Sequence, residues 1–215
     1  MDGNEQLITN GLDEQSGAPP ELPNPIIEAL LRRSSVSRLI EPGPTQVELE
    51  LILRCGANPP DHGHLRPFRF IPLLGNGKAA LGEVFLAALF ERSKQSGMEP
   101  TAGQIDKERR KLERAPLVIV VIADLHPESH VPEIEQLLSA GTTAYAMSLA
   151  AASLGYGTMW RTGEVAHDPH VRNALGVAPH QQIIGYLYVG TPASAGAAPI
   201  RWADLAERVG VFPLE

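Results

Sequence analysis

The sequence predicts a single α+β domain, and three observations support that class. Segments with the apolar spacing of helices alternate with strand-like segments along the 215-residue chain, and nothing repeats at a fixed period. One run, APLVIVVIADL from Ala115, is too rich in β-branched residues to be half exposed, which indicates a central strand covered on both faces. No linker rich in proline or serine divides the chain after its first 23 residues, so we expect one core.

The two ends of the chain are expected to lie outside this core. Residues 1–23 are acidic and rich in glycine and proline, and they lack the basic start and apolar segment of a secretory signal. They predict a flexible tail, because they offer too little apolar surface to offset the entropy of ordering them. The domain is therefore predicted to span residues 24–193, with residues 194–215 as a C-terminal extension.

Two short helices are predicted at the start of the domain. PIIEALLRR has apolar residues at helical spacing, and Pro25 stands in its first turn. TQVELELILRCGA repeats the pattern with Thr45 as N-cap, after a turn through Pro42, Gly43 and Pro44. The lone Cys55 lies within this second apolar pattern, so we expect a buried structural thiol.

The middle of the chain combines a loop, a strand and three helical patterns. The loop NPPDHGHLRP precedes the alternating strand FRFIPLL. Two helices then follow, GKAALGEVFLAALFERSKQ and the highly charged DKERRKLERA. After the central strand, the pattern from Glu133 to Gly155 predicts the longest helix. It carries many small residues and is expected to be buried or packed on a partner: Ser139, Ala140, Gly141, Ala144, Ala150, Ala151 and Ala152.

The last part of the domain predicts a short strand at TMWRTG, a short helix and a final strand at QQIIGYLYVGTP. The helix, in DPHVRNALGV, has Asp168 as its cap and Pro169 at its first position. The glycines of GYGTMW precede a strand, whereas the dinucleotide fingerprint requires a strand, a glycine turn and a helix. The chain therefore has neither that fingerprint nor a P-loop.

Charge and composition exclude several classes of function. The formal net charge is −7, from 18 Lys and Arg against 25 Asp and Glu, which argues against a nucleic-acid-binding protein. No apolar run reaches the roughly 18 to 20 residues that span a bilayer, so no membrane partner is expected. A single cysteine cannot form an intrachain disulfide. These features predict a soluble cytoplasmic protein.

The stretch LRRSSVSRLIEPGPT concentrates three arginines and four hydroxyl groups in this acidic chain. Guanidinium groups and serine hydroxyls are suited to a phosphate. Arginines near a helix C-terminus followed by serine are, however, also typical of an ordinary helix end, since they favour the helix dipole. From this stretch alone, both interpretations stay open.

Five segments in chain order carry a wider resemblance: RRSSVSRL, ILRCGANPPDHGHLRPFRF, RAPLVIVV, SAGTTAYAMSLAAASLGYGTMWRTG and IIGYLYVGTP. A PDH loop, a helix of small residues and a WRTG turn at compatible spacing are jointly specific. Together the segments resemble the nitroreductase family, most of all its compact YdjA-like branch. The resemblance extends from Pro25 to Pro192.

This resemblance implies a central, mostly antiparallel sheet flanked by helices, in a homodimer with FMN bound noncovalently at the subunit interface. It implies reduction of small electrophiles, such as nitro compounds or quinones, by NADH or NADPH. The chemistry takes place at N5 of the flavin, so no catalytic side chain is expected, and ping-pong kinetics follow. The preferred nucleotide and the physiological acceptor are not fixed by the sequence.

The resemblance also implies a set of cofactor contacts. The first FMN-binding segment of the family matches Arg32, Arg33 and Ser34, and the second matches Trp160, Arg161 and Thr162. Asn58 and His62 match contacts supplied by the other subunit, although Asn58 stands where near relatives have arginine. A stretch associated with the nicotinamide nucleotide matches Ala150, Ala151, Ala152, Ser153, Leu154 and Gly155, which on a helix also indicates close packing.

This assignment favours the phosphate interpretation of the arginine-rich stretch. FMN has a dianionic phosphate and a flavin ring that gains electron density on reduction, so cations are required at both ends of the site. Arg32, Arg33 and Arg161 can meet both requirements, and the sequence does not assign each arginine to one end.

Two alternatives from other classes remain at this level. Four imidazoles, His62, His64, His126 and His130, would serve a metal-binding or sensing module if they converged, although their spacing matches no common zinc pattern. A flavoprotein with other redox chemistry, such as dehalogenation, would share the same sequence features.

Overall fold

A computed structural model of the protein describes residues 24–194 together with Gly196, Ile200 and Arg208. Residues 34–195 form one unit, and the flanking stretches 1–33 and 196–215 belong to a second. In the second unit, helix α1 spans Pro25–Arg32, and the Asn24 side chain caps it by accepting the Ile26 N–H at 2.8 Å. The predicted tail, residues 1–23, and most of the predicted C-terminal extension lie outside the described residues.

A five-stranded sheet is the centre of the unit of residues 34–195. Strands β1 (Leu39–Ile40), β2 (Phe68–Leu73), β3 (Leu117–Asp124), β4 (Gly157–Arg161) and β5 (Gln181–Pro192) all pair in antiparallel fashion. The order is β1-β5-β3-β2, and β4 also pairs with β5. The predicted antiparallel sheet is thus confirmed, and the short β1 is an addition to the strands that the sequence predicted.

Strand β3 is covered on both faces, as its sequence predicts. Every residue from Leu117 to Ala123 is 0% exposed. Alternate side chains enter different clusters: Val118, Val120 and Ile122 pack on one face, and Leu117, Ile119 and Val121 pack on the other. The period of two in a strand therefore divides the core into two apolar layers.

Four helices lie on the side of the sheet where Val118, Val120 and Ile122 pack. They are α3 (Gly75–Ser96), α4 (Ala102–Arg109), α6 (Glu164–His167) and α7 (Pro169–Ala174). Phe85 of α3 is completely buried and meets the ring of Tyr186 edge to face at 5.5 Å. Asp168 caps α7 as predicted, accepting the His170 N–H at 2.9 Å. Its other carboxylate oxygen forms an ion pair with the Arg92 guanidinium, and this pair links α3 to the N-terminus of α7.

Helices α2 (Gln46–Gly56) and α5 (Glu133–Ser153) cover the opposite face. Thr45 is the N-cap of α2 as predicted, and it forms a capping box with Glu48. Leu49 and Ile52 of α2 pack with Ala144 and Met147 of α5. A Cβ at Gly56 would overlap the Met147 side chain, so glycine is required where the two helices cross.

Two local expectations were wrong. The predicted helix DKERRKLERA is two elements: α4 begins early because Thr101 and Gln104 form a capping box, and a separate 3-10 turn at Lys111–Arg114 buries Leu112. Cys55 is exposed, because the buried face of α2 runs through Leu49, Ile52 and Gly56 instead.

Among the helices that the structure describes, none has both the length and the apolar character needed to span a bilayer.

Candidate functional site

The structure brings two of the sequence-predicted segments together. Ser35 forms an isolated parallel bridge with Thr158 of β4, and the Val36 N–H donates to the Thr158 carbonyl at 2.8 Å. The exposed Ser34 is therefore held beside the strand that carries Trp160 and Arg161. The chain separates these segments by more than a hundred residues, and the bridge unites them at one end of the sheet.

Trp160 lies at the surface, with 41% of its area exposed. Its indole N–H donates to the Ile184 carbonyl at 3.4 Å, which holds the ring over β5. Gly185 makes this position available, since a Cβ there would overlap the indole nitrogen and lie 2.7 Å from the Arg161 carbonyl oxygen. Its φ of +154° also disfavours residues with a side chain. The indole is thus presented to solvent at the end of β4.

Arg161 follows on β4 and is half-buried. Its Nε donates to Met159 Sδ at 2.8 Å, and its guanidinium carbon lies 6.0 Å from the centre of the Tyr188 ring. Burial raises the pKa of Tyr188 to about 12, although the nearby guanidinium groups of Arg161 and Arg114 oppose this effect. Thr162 and Gly163 continue the strand as an exposed turn, with Gly163 at φ +108°.

The raised pKa of Tyr188 predicts that the folded protein loses stability at alkaline pH. Above pH 10 an unfolded tyrosine loses its proton, whereas the folded one keeps it until about pH 12. The contribution of Tyr188 to the free energy of unfolding should therefore be constant below pH 10 and then fall by about 1.4 kcal/mol per pH unit up to about pH 12. Burial of Tyr186 shifts its pKa in the same direction and adds to the loss.

Urea unfolding at a series of pH values measures this effect, and absorbance follows tyrosine ionisation. Tyr188→Phe should show a shallower decline between about pH 10 and pH 12, since the contribution of Tyr188 is then removed and that of Tyr186 is kept. An equal decline in the variant and the wild-type protein would contradict the assignment to Tyr188.

The loop between α2 and β2 holds the other two predicted cofactor contacts. The Asn58 side-chain amide donates to the Arg54 carbonyl at 2.9 Å and so closes the end of α2. His62 lies four residues further on, and its Nδ1 is 2.6 Å from Oε2 of Glu135 on α5. Asp61 Oδ2 accepts the Arg66 backbone N–H at 2.8 Å, which closes the turn around His62.

A cavity of about 220 Å³ adjoins His62 between this loop and α5. Two buried oxygens of its lining residues, Asp61 Oδ1 and Ser139 Oγ, have no hydrogen-bond partner among the described residues. Buried polar atoms are nearly always paired in proteins, so these two oxygens mark unsatisfied hydrogen-bonding capacity in the wall of the cavity. The lining residues are Pro60, Asp61, His62, Glu135, Leu138, Ser139 and Thr142.

Arg32 and Arg33 lie in the other unit and immediately precede Ser34 in the chain. Arg32 is in the last turn of α1, and its Nε donates to Glu28 at 2.7 Å. Arg33 ends the helix, and its backbone N–H donates to the Ala29 carbonyl at 3.0 Å. The helix-end interpretation of this stretch is therefore correct as local structure, and it leaves a phosphate role untested.

The segment from Ala150 to Gly155 ends α5. Ala151 is completely buried, Ala150 and Leu154 pack against the same apolar cluster, and the Ser153 hydroxyl donates to the Ala150 carbonyl at 2.8 Å. Ala152 and Gly155 are exposed. Close packing therefore accounts for Ala150 and Ala151, and the nicotinamide role of the segment stays a prediction.

The histidines do not assemble a metal site. His62 and His130 lie edge to face with ring centres 6.1 Å apart, and His126 and His130 line a separate cavity of about 390 Å³. Within residues 24–194, no group of three or more His, Cys, Asp or Glu side chains could hold a metal ion. The metal-binding alternative therefore has no ligand set in the described part of the chain.

Helix α5 presents large apolar side chains outward and small ones inward. Ile134 is 60% exposed, Leu138 62% and Tyr145 40%, and these residues lie along one side of the helix. Ala140, Ala144 and Ala151 are completely buried. We call the three exposed residues the outer stripe of α5. Small residues in the sequence indicated close packing of this helix, and the packing is against α2 and the sheet of the same chain.

Sequence reasoning missed Glu135, which contacts His62 across 73 residues of chain. No local signal marks it, since an acidic residue in the first turn of a helix is common and is explained by the helix dipole. Only the fold brings it to the loop.

Comparison with known proteins gives consistent results. The nitroreductase family profile matches residues 30–191. A relative from Escherichia coli K12, YdjA, whose name assigns it to the NAD(P)H nitroreductases, is 39% identical over 186 residues, covering 86% of this chain and 98% of its own.

Solved structures share the fold at lower identity. A nitroreductase-like family protein from Bacillus cereus has a TM-score of 0.72 and 20% identity, over 88% of this chain and 96% of its own. A nitroreductase from Bacteroides fragilis, crystallised with bound FMN, has a TM-score of 0.66 and 21% identity, over 88% of this chain and all of its own.

Proposed function

The chain belongs to the nitroreductase family, and on that premise we propose that it is a cytoplasmic, homodimeric, FMN-dependent oxidoreductase. It passes reducing equivalents from NADH or NADPH to small electrophiles such as nitro compounds or quinones. The observation that carries the proposal is the bridge between Ser35 and Thr158, because it unites the Ser34 segment with the strand of Trp160 and Arg161. FMN in the B. fragilis structure and the name of YdjA support the choice of cofactors.

The side chains at these segments fit FMN. Ser34 and Thr162 place hydroxyl groups at exposed positions, Trp160 offers an exposed aromatic face, and Arg161 of the same strand adds a half-buried guanidinium near the Tyr188 ring. Arg32 and Arg33 directly precede Ser34 and add two cations. Cations suit both the phosphate dianion and the electron-rich edge of a flavin, and an aromatic ring suits its flat face.

The protein's part in the reaction is to bind and to orient. Bound FMN supplies the hydride-accepting and electron-donating chemistry. Arg32, Arg33 and Ser34 hold the cofactor from one chain, and Trp160 and Thr162 border the space where donor and acceptor bind. Arg161 adds a cation from the same strand, which favours a negatively charged cofactor. No side chain needs to act as general acid or base, which agrees with the absence of paired carboxylates from these segments.

The homodimer is supported by the outer stripe of α5. Exposing three large apolar residues along one helix to water is energetically unfavourable, and a second copy of the chain would cover them. In the proposed dimer, Asn58 and His62 reach the FMN that the other chain holds.

The test is the absorption spectrum and kinetics of the purified protein. We expect a yellow protein with a flavin spectrum that bleaches when NADH or NADPH is added under nitrogen. Donor and acceptor meet the cofactor in turn, so initial rates with a nitroaromatic compound or a quinone should give the parallel double-reciprocal lines of a ping-pong mechanism. A protein that takes up no FMN would overturn the proposal.

The acceptor class is tested separately with the same preparation. Rapid reoxidation by nitro compounds and quinones supports the proposed acceptors. Reoxidation by a halogenated phenol alone, with release of halide, would assign dehalogenation instead.

A further inference from the structure

The contact between His62 and Glu135 joins the loop before β2 to helix α5. Nδ1 of His62 lies 2.6 Å from Glu135 Oε2, and the two side chains come from a loop and a helix far apart in sequence. Nε2 of His62 has no hydrogen-bond partner among the described residues. Both side chains are about half exposed, so this contact has to compete with water.

We propose that Glu135 is a positioning residue for FMN binding: it holds His62 through Nδ1, so that Nε2 is the atom presented to the cofactor. This inference rests on the proposed function, because it concerns the same site. A carboxylate accepts hydrogen bonds only, so the nitrogen that faces it must carry a proton. Glu135 thereby fixes both the ring orientation and the proton on Nδ1, as carboxylates do for histidines that bind metals.

The surroundings of His62 support a fixed orientation. Pro59 and Pro60 restrict the loop on one side, and the bond from the Arg66 N–H to Asp61 closes it on the other. The ring of His130 meets the His62 ring edge to face with centres 6.1 Å apart. With Glu135 at Nδ1, these contacts leave one free nitrogen on the imidazole.

The adjoining cavity leaves space beside the His62 side chain. The unpaired oxygens of Asp61 and Ser139 belong to residues that line the same cavity as His62 and Glu135. The pair between His62 and Glu135 forms within one chain, and in the proposed dimer it acts on FMN held by the other. Glu135 therefore affects a cofactor that it need not touch.

The experiment titrates apoprotein with FMN and follows flavin fluorescence, for wild type, Glu135→Ala, Glu135→Gln, His62→Ala and the double variant. Glu135→Ala should weaken FMN binding about three- to tenfold, the effect of one lost hydrogen bond. Glu135→Gln should restore most of the affinity, because its amide oxygen still accepts from Nδ1. The double variant should bind no more weakly than His62→Ala alone, because Glu135 acts only through His62.

The matched control is Glu133→Ala, two residues earlier in the first turn of α5. Its carboxylate accepts from the Gln182 side chain at 3.2 Å and does not contact His62. We expect FMN affinity as in wild type. Sedimentation of each variant at the titration concentration checks that assembly is unchanged.

A second readout is independent of FMN affinity. Imidazole ¹⁵N spectra should show His62 protonated at Nδ1 in wild type and Glu135→Gln, and the proton should redistribute to Nε2 in Glu135→Ala; the His62→Ala spectrum identifies the resonance. Wild-type protein that binds no FMN would overturn the proposed function. FMN binding that is unaffected in Glu135→Ala, or losses that add in the double variant, would overturn the role of Glu135 alone.

Discussion

Replacing Arg33 with alanine should weaken FMN binding by one to two orders of magnitude, and Arg32→Ala should do the same. Each guanidinium is proposed to form charge-assisted hydrogen bonds worth roughly 1.5 to 3 kcal/mol. Lysine at either position should restore only part of the affinity, because it carries the charge without the fork of donors. Fluorescence titration of the apoproteins measures these differences.

Arg38→Ala is the matched control for this experiment. It removes the same charge from the same stretch, at an exposed position outside the proposed contacts. Arg32 also pairs with Glu28 within α1, so circular dichroism is needed to show that the variants keep their helix content. Unchanged affinity in both Arg32→Ala and Arg33→Ala would remove these residues from the site.

The second large effect is expected from Leu138→Arg, which places a charge in the outer stripe of α5. If two chains meet there, the variant should be a folded monomer with little bound flavin, since each monomer holds only part of the proposed FMN shell. By linkage, a cofactor that prefers the dimer must favour dimerisation, so dilution of wild-type protein should release FMN. Sedimentation followed at protein and flavin wavelengths measures both quantities.

Gln95→Arg is the control for added charge, since Gln95 is exposed on α3. It should leave size and flavin content unchanged. The outer stripe is the proper target, because a small residue of α5 such as Ala144 is completely buried and an arginine there would disrupt the core. A monomeric Leu138→Arg variant with a full complement of tightly bound FMN would contradict the shared site.

Much of the fold could be predicted because local signals and tertiary packing agree. Thr45 and Asp168 have the side chains that cap helices, and each does so. The apolar run of β3 has no polar face, and it is fully buried. Local signals are insufficient where tertiary packing determines the secondary structure. Leu112 interrupts a charged helical pattern because its side chain enters the core. Strand β1 is only two residues long, so its sequence carries no periodic pattern.

The candidate site could likewise be predicted only in part from the sequence. The segments that contain Arg32, Arg33 and Ser34 and Trp160, Arg161 and Thr162 are visible in the sequence because they resemble motifs of the nitroreductase family. Their adjacency depends on the bridge between Ser35 and Thr158, and the partner of His62 depends on where α5 begins. Exposure of Cys55 also depends on which side of α2 faces α5, which a mixed apolar pattern does not determine.

The outward-facing apolar residues of α5 have a consequence for the newly made protein. In the proposed dimer these residues are covered, and until two chains pair each one exposes Ile134, Leu138 and Tyr145 to other molecules, including other newly made chains. Correct pairing and aggregation then compete for the same surface, and protein concentration and temperature decide the ratio. Slow expression with ample riboflavin supply should therefore raise the soluble yield, because cofactor captured early withdraws chains from that competition.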